Sequence, residues 1–208
     1  AKALKELGVK KGDVIGTLAW NTNRHLESWY GITGLGAIYH TLNPRLFIEQ
    51  LDYIINHADN KFIISDITFV EILESLQDKI PNVQGFIFLC EKSDLPDSKL
   101  KNVYSYEELV NSQDDNFDWV KLEENDACGL CYTSGTTGNP KGVLYSHRSN
   151  VLHTLVANSA DAMGIKSTDV VMPVVPMFHA NAWGLSFSAP MSGCKVVMPG
   201  MNMDGESI

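Results

Sequence analysis

Residues 127–142 read Ala127-Cys128-Gly129-Leu130-Cys131-Tyr132-Thr133-Ser134-Gly135-Thr136-Thr137-Gly138-Asn139-Pro140-Lys141-Gly142. The apolar run 127–132 predicts a short buried strand. After it comes a bend rich in glycine and hydroxyl groups. Gly135, Gly138 and Gly142 permit tight turns and close approach of backbone N–H groups to an anion. Thr133, Ser134, Thr136 and Thr137 add hydroxyl donors, with lone pairs that a magnesium ion or its waters can use. Lys141, held between Pro140 and Gly142, adds positive charge. Together these residues describe a cradle for a polyphosphate. A flexible linker fits poorly, because linkers rarely follow a buried strand and rarely carry Pro-Lys-Gly. A Walker A loop needs Gly just before its Lys and Ser or Thr just after, which disfavours a P-loop NTPase. No G-x-G-x-x-G opens a helix, so the dinucleotide fingerprint is absent as well.

Outward from this stretch, short apolar runs alternate with amphipathic ones. Strands are expected at 14–19, 61–65, 86–90, 169–173 and 195–198, with 37–40 extended. Helices are expected at 23–36, capped by Asn21 or Thr22, and at 47–57, where Leu51, Ile54 and Ile55 keep helical spacing. Others are expected at 69–79 behind a capping Asp66, at 146–162 and at 180–190. Residues 91–125 turn polar and read as a surface excursion with one short helix near 106–111. Repeated strand–helix–strand units imply an α/β fold, a mostly parallel sheet flanked by helices on both faces. Ligands of such folds gather at the carboxyl ends of strands, where the bend after 127–132 lies.

Composition limits the function classes. The 208 residues, 44% hydrophobic and 20% charged, suit a globular chain with its own core. No apolar run reaches the ~20 residues that span a bilayer, and no secretory signal opens the chain. The sequence begins at Ala1 inside a helical pattern and stops at Ile208 without a terminal signature, so both ends read as cuts. A net charge of −9 with 16 scattered basic residues argues against a nucleic-acid surface. Cys90, Cys128, Cys131 and Cys194 suggest no disulfide framework. Side chains three apart on a strand face opposite ways, so Cys128 and Cys131 read as buried thiols of a cytoplasmic protein rather than half a zinc site.

The run Tyr132–Gly142 fills every fixed position of the signature of the adenylate-forming superfamily, which it closely resembles. The stretch Val174-Val175-Pro176-Met177-Phe178-His179-Ala180-Asn181-Ala182-Trp183 is similar to the second block of its medium- and long-chain fatty-acyl-CoA synthetase branch, which includes 3-methylmercaptopropionate-CoA ligases. Arg24-His25-Leu26-Glu27, His40-Thr41-Leu42-Asn43-Pro44-Arg45 and Tyr145-Ser146-His147-Arg148 also look like that branch. The resemblance therefore covers nearly the whole chain.

The resemblance implies that residues 1–208 are part of the large AMP-binding N-terminal domain, with the C-terminal domain absent and the phosphate loop at 132–142. It implies an ATP-dependent acid–thiol ligase. A carboxylic acid attacks the α-phosphate of ATP, pyrophosphate leaves, and the acyl group passes from AMP to coenzyme A. ATP, Mg2+ and CoA are implied as co-substrates and cofactor, and a homodimer as a common assembly that no feature of the sequence indicates. Thr133 falls near magnesium and the phosphates, Ser134, Gly135, Thr136, Thr137 and Gly138 on the part wrapping the β- and γ-phosphates, and Lys141 on the loop lysine. Lys141 is expected to order the loop and assist pyrophosphate without being the main base. His179 falls near the carboxylate and α-phosphate. Trp183 falls at the acyl entrance as gate or wall, with Ala180 counted beside it among the binding positions. If 180–190 is helical, His179 and Trp183 at i and i+4 share one face. The family's downstream acidic magnesium residue, ribose-binding Asp and C-terminal Lys have no counterpart here, so the chain alone is expected to be inactive. A non-catalytic nucleotide-binding scaffold is the alternative of another class.

Overall fold

A computed structural model of the chain describes residues 1–133 and 139–207. Its main strands are β1 Val14–Leu18, β2 Ile38–Thr41, β3 Asn60–Ser65, β4 Gly85–Phe88, β5 Val103–Ser105, β6 Ala127–Thr133 and β7 Lys141–Ser146. They form one sheet in the order β5-β4-β3-β1-β2-β6-β7. Every neighbouring pair is parallel except β6 with β7. Counted from β2, the order 2-1-3-4-5 is that of a doubly wound sheet whose switch point lies between β1 and β3.

Alternation along the strands builds two cores. On β3, Phe62 and Ile64 join Ile15, Trp29, Ile32 and Tyr39 on one face. Ile63 joins Leu51, Ile54, Ile55 and Leu73 on the other. The first face is covered by α1 Lys2–Glu6 and α2 Asn23–Gly34, the second by α3 Ile48–His57 and α4 Val70–Leu76. Burying each such side chain contributes about 1.5–3 kcal/mol, and strands covered on both faces are accordingly apolar along their length rather than at every second residue. The cap of α2 is Thr22, whose Oγ1 accepts from His25 N at 3.2 Å. Asn21 is left for another task.

Five expectations need correction. Residues 141–146 form β7, an antiparallel edge strand that the glycine-rich reading of this stretch hid. Inside the polar stretch 91–125, β5 completes the far edge of the sheet, its buried Ser105 donating to Cys90 O at 2.8 Å. The following helix, α5 Tyr106–Asn111, lies where expected. The helix expected over 146–162 is α6 His147–Ala157, and Asn158 at its end donates instead to Ser188 O. Residues 180–184 are not right-handed helix: Ala180, Asn181, Ala182 and Trp183 all have φ between 45 and 55°. The right-handed helix α7 begins only at Leu185 and runs to Ser192. The late strands shrink to β8 Val170–Val171 and β9 Lys195–Val196, a separate parallel pair.

All four cysteines are free, and Cys90, Cys128 and Cys131 are buried. Burial pushes the Cys128 thiol up to about 11. Among the described residues no helix is long and apolar enough to cross a membrane.

Candidate functional site

The parallel strands bring the carboxyl ends of β1, β2, β3 and β6 to one edge of the sheet. There β6 ends at Thr133 and β7 begins at Lys141, and the two residues pair across the hairpin. Thr133 Oγ1 lies 3.5 Å from Lys141 O, and both residues are exposed. Ser134, Gly135, Thr136, Thr137 and Gly138 lie outside the described residues. Beneath the hairpin, Gly142 crosses Tyr132, and a Cβ on it would stand 3.1 Å from Leu130 Cδ1 and 3.2 Å from Tyr132 Cζ. Tyr132 shares a 2.6 Å hydrogen bond with His57 Nδ1 and packs on His40, ring centroids 5.0 Å apart. The fully buried His40 is held by Asn60. In its satisfied orientation the Asn60 amide nitrogen donates to Ile55 O and to His40 Nδ1, and its oxygen accepts from Gly16 N. Burial holds His40 down at about 4, so the ring is neutral.

The second segment, 173–184, reaches the same edge by a different route. The Asn21 amide nitrogen donates to Pro173 O at 2.8 Å and Val175 O at 3.0 Å, while its oxygen accepts from Met177 N at 2.7 Å. Phe178 packs against Trp20, centroids 6.2 Å apart, with the Arg45 guanidinium 5.9 Å over its ring. Next to Asn21, His25 Nδ1 donates to Trp20 O at 2.9 Å and Nε2 accepts from Trp29 Nε1 at 3.1 Å. That pairing requires the neutral ring, and burial lowers His25 to about 4.

Beyond His179 the chain makes its left-handed turn. Non-glycine residues there cost roughly 1–2 kcal/mol each, so the turn needs anchors. Asn181 Nδ2 donates to Tyr39 OH at 3.2 Å, Ala182 is fully buried, and Tyr39 stacks on Trp29 at 4.1 Å. Gly129 is required beneath this stack, because any Cβ there would fall inside the Tyr39 ring. A Cβ on Gly184 would likewise stand 2.7 Å from the His153 ring.

The turn forms one wall of a cleft of about 800 Å³. Ala180, Trp183 and Phe187 line one side, and His153, Val156 and Met163 the other. Its surface is mostly apolar, suited to a hydrocarbon-like ligand with few polar fixings. Trp183 is 58% exposed, so it is not a core residue of this chain. His179 is exposed and its side chain caps nothing.

Among the described residues, then, the structure pairs Thr133 with Lys141 and places Ala180 with Trp183. His179 lies in neither the hairpin nor the lining of the cleft. The shared helical face expected for His179 and Trp183 does not exist, because the intervening backbone is left-handed. Residue types alone missed Asn21 and the Tyr39–Trp29 support. Their one visible signal was a buried-strand pattern running into Trp20-Asn21-Thr22, which reads equally well as a helix cap. Among the described residues no three His, Cys, Asp or Glu side chains form a metal cage. The exposed Thr133 hydroxyl fits a magnesium ion as a single oxygen, the kind of site in which phosphates and waters supply the rest.

The sequence profile described as AMP-binding enzyme matches residues 1–206. A medium-chain-fatty-acid–CoA ligase of Ectopseudomonas oleovorans is 46% identical over 208 residues, 100% of this chain and 38% of its own length. A 3-methylmercaptopropionyl-CoA ligase of Ruegeria lacuscaerulensis is 48% identical over 206 residues, 99% of this chain and 38% of its own. The crystal structure of the anthranilate CoA ligase AuaEII with anthranoyl-AMP superposes with a TM-score of 0.82 at 26% identity, covering 95% of this chain and 37% of that one. The chain thus spans about 38% of the length of these curated relatives.

Proposed function

Since the chain belongs to the AMP-binding enzyme family, we propose that it is the phosphate-loop part of the N-terminal domain of an ATP-dependent acid–CoA ligase, with a C-terminal domain outside these residues. The observation that carries this reading is the β6–β7 hairpin. It sets Thr133 opposite Lys141 at the carboxyl edge of a doubly wound sheet, with the signature run between them.

In this mechanism a carboxylate oxygen bonds to the α-phosphorus of ATP while the bond to pyrophosphate breaks. The CoA sulfur then attacks the acyl carbon, gives up its proton, and AMP leaves. A carboxylate is a weak nucleophile and both reactants are anions, so the protein's work is placement and charge neutralisation. Lys141 offers its ammonium group to the leaving pyrophosphate, and Thr133 with the loop residues 134–138 donates to the phosphates. Magnesium, when bound, neutralises phosphate charge, with Thr133 Oγ1 as its oxygen from this chain. His179 holds the carboxylate beside the α-phosphate, and Ala180 and Trp183 wall the acyl chain. Four free thiols suit a reducing, cytoplasmic setting.

The apolar cleft favours a fatty acid. A short thioether acid, 3-methylmercaptopropionate, is the second reading, supported by the 48% identical relative. Pyrophosphate exchange by the full-length protein with hexanoate, palmitate and methylmercaptopropionate separates the two. The same assay tests the wall: Trp183→Ala is expected to shift the preference between hexanoate and palmitate by roughly tenfold, the worth of one or two methylenes in an apolar pocket. An unaltered preference removes Trp183 from the acyl site. Absence of exchange with all three acids removes the ligase reading.

A further inference from the structure

We propose that Asn21 is a positioning residue for the reacting centre, its carboxamide clamping the segment that presents His179 to the carboxyl edge of the sheet. The inference rests on the ligase reading above for its effect on rate, but not for the clamp itself.

Pro173 and Pro176 have no N–H, so the segment they punctuate cannot be laid into a sheet as an inner strand. Between the end of β8 and the turn at Pro176 it has no strand partner among the described residues. Its polar groups must still be satisfied where they are buried. The Asn21 side chain does this for three of them. Pro173 O, Val175 O and Met177 N, at alternate positions of the segment, all meet one carboxamide. A carboxamide offers two donors and an acceptor in one plane, and here each is used. Asn21 thus acts as a one-residue strand edge.

Its own position is fixed from three directions. It lies just beyond β1, after Ala19 and Trp20, beside the switch point; Thr22 next to it caps α2; and its carbonyl accepts from Gly200 N at 2.9 Å. It is fully buried, so water does not compete for these bonds. The clamp ends at Met177, two residues before His179. His179 N donates to Pro176 O at 2.9 Å, a carbonyl inside the clamped stretch. The placement of His179 therefore depends on an amide more than 150 residues upstream.

The test uses the full-length protein with Asn21→Asp, which keeps the acceptor, loses both donors and sets a carboxylate against two carbonyls. Asn21→Ser serves if that variant does not fold. Ile32→Val, a mild change in the same core but away from the segment, is the control for general loosening. Hydrogen exchange over residues 173–179 should speed up by roughly tenfold or more in the Asn21 variants while β3 and β4 keep their protection. The turnover for acyl-AMP formation should fall about 10- to 100-fold with the KM for ATP little changed, the signature of misplacement rather than lost binding. Unchanged exchange over 173–179, or a turnover loss no larger than that of Ile32→Val at equal melting temperature, overturns the proposal. If the wild-type protein forms no acyl-AMP, the ligase reading fails, and the local exchange result still decides whether Asn21 is the clamp.

Discussion

The two segments that meet at the carboxyl edge are held in opposite ways. The β6–β7 hairpin is local: its strands are adjacent in sequence, and backbone pairing from Ala127–Ser146 to Thr133–Lys141 sets the register. The 173–184 segment is remote: side chains of Asn21 and Trp20 hold its first part, and Tyr39 with the buried Ala182 anchors its left-handed turn. A ladder of backbone bonds tolerates many side chains, so its residues are free to specialise in binding. A segment hung from a few buried polar groups inherits whatever happens to those groups.

Acid should expose that difference with the largest effect. His25 beside the Asn21 clamp and His40 beneath Tyr132 are both fully buried, with values lowered to about 4 against an ordinary 6.5. Between those values the unfolded chain binds protons that the folded one refuses, so stability rises with pH across the window and is lost as pH falls from about 6.5 toward 4. Each histidine is worth on the order of 3 kcal/mol once fully expressed. Urea melts of the full-length protein at pH 7.5 and 5 should show the loss, and His25→Gln should remove roughly half of the pH dependence. The sharper observation is regional: protection of 173–179 should fail before that of β6 and β7. Equal failure of both would mean that the remote segment has no separate vulnerability.

Lys141→Ala probes the opposite side of the comparison. The residue is exposed and sits at the first position of an edge strand, so the melting temperature should not move. Pyrophosphate exchange should fall by about 100-fold, the usual cost of deleting one donor aimed at developing charge. A protein that melts normally but exchanges poorly would show that the hairpin separates binding from folding. A variant that retains full exchange would take Lys141 out of the reaction.

What could be read from the chain divides along the same line. Short continuous apolar runs marked β1, β3, β4 and β6, and with them a mostly parallel sheet, because burial on both faces is encoded in each strand's own residues. The Tyr132–Gly142 run suggests a phosphate cradle on its own, because its chemistry is contiguous. β7 was hidden since an exposed edge strand has no alternation to declare: Val143 and Leu144 are 39% and 58% exposed in succession. β5 was hidden because a three-residue strand carries too few positions for a period. Asn21 reads as a cap candidate from its neighbours, and only the fold brings Pro173, Val175 and Met177 to it. The left-handed turn left no mark at all, for Ala-Asn-Ala-Trp has ordinary helix-compatible residues and no glycine until Gly184.

That turn yields the smallest and most specific prediction. Ala180 has φ 45° and is exposed, so its methyl group contributes little packing while it bears the steric cost of the left-handed region. Replacing it with glycine removes a cost of roughly 1–2 kcal/mol from the folded state and adds up to about 1 kcal/mol of entropy to the unfolded one. The net is a stabilisation of about 0.5–1 kcal/mol, a rise of roughly 1–4 °C in melting temperature for a domain of this size. Ala182 is a poorer place to look, since it is fully buried and glycine there would also lose a packed methyl group. Gly142→Ala on the hairpin should bring no such gain, for the only change there is a methyl group close to Leu130 and Tyr132. If Ala180→Gly lowers the melting temperature instead, residue 180 is right-handed in solution. The helical face shared by His179 and Trp183 would then be restored, and the remote segment would be held by its own backbone after all.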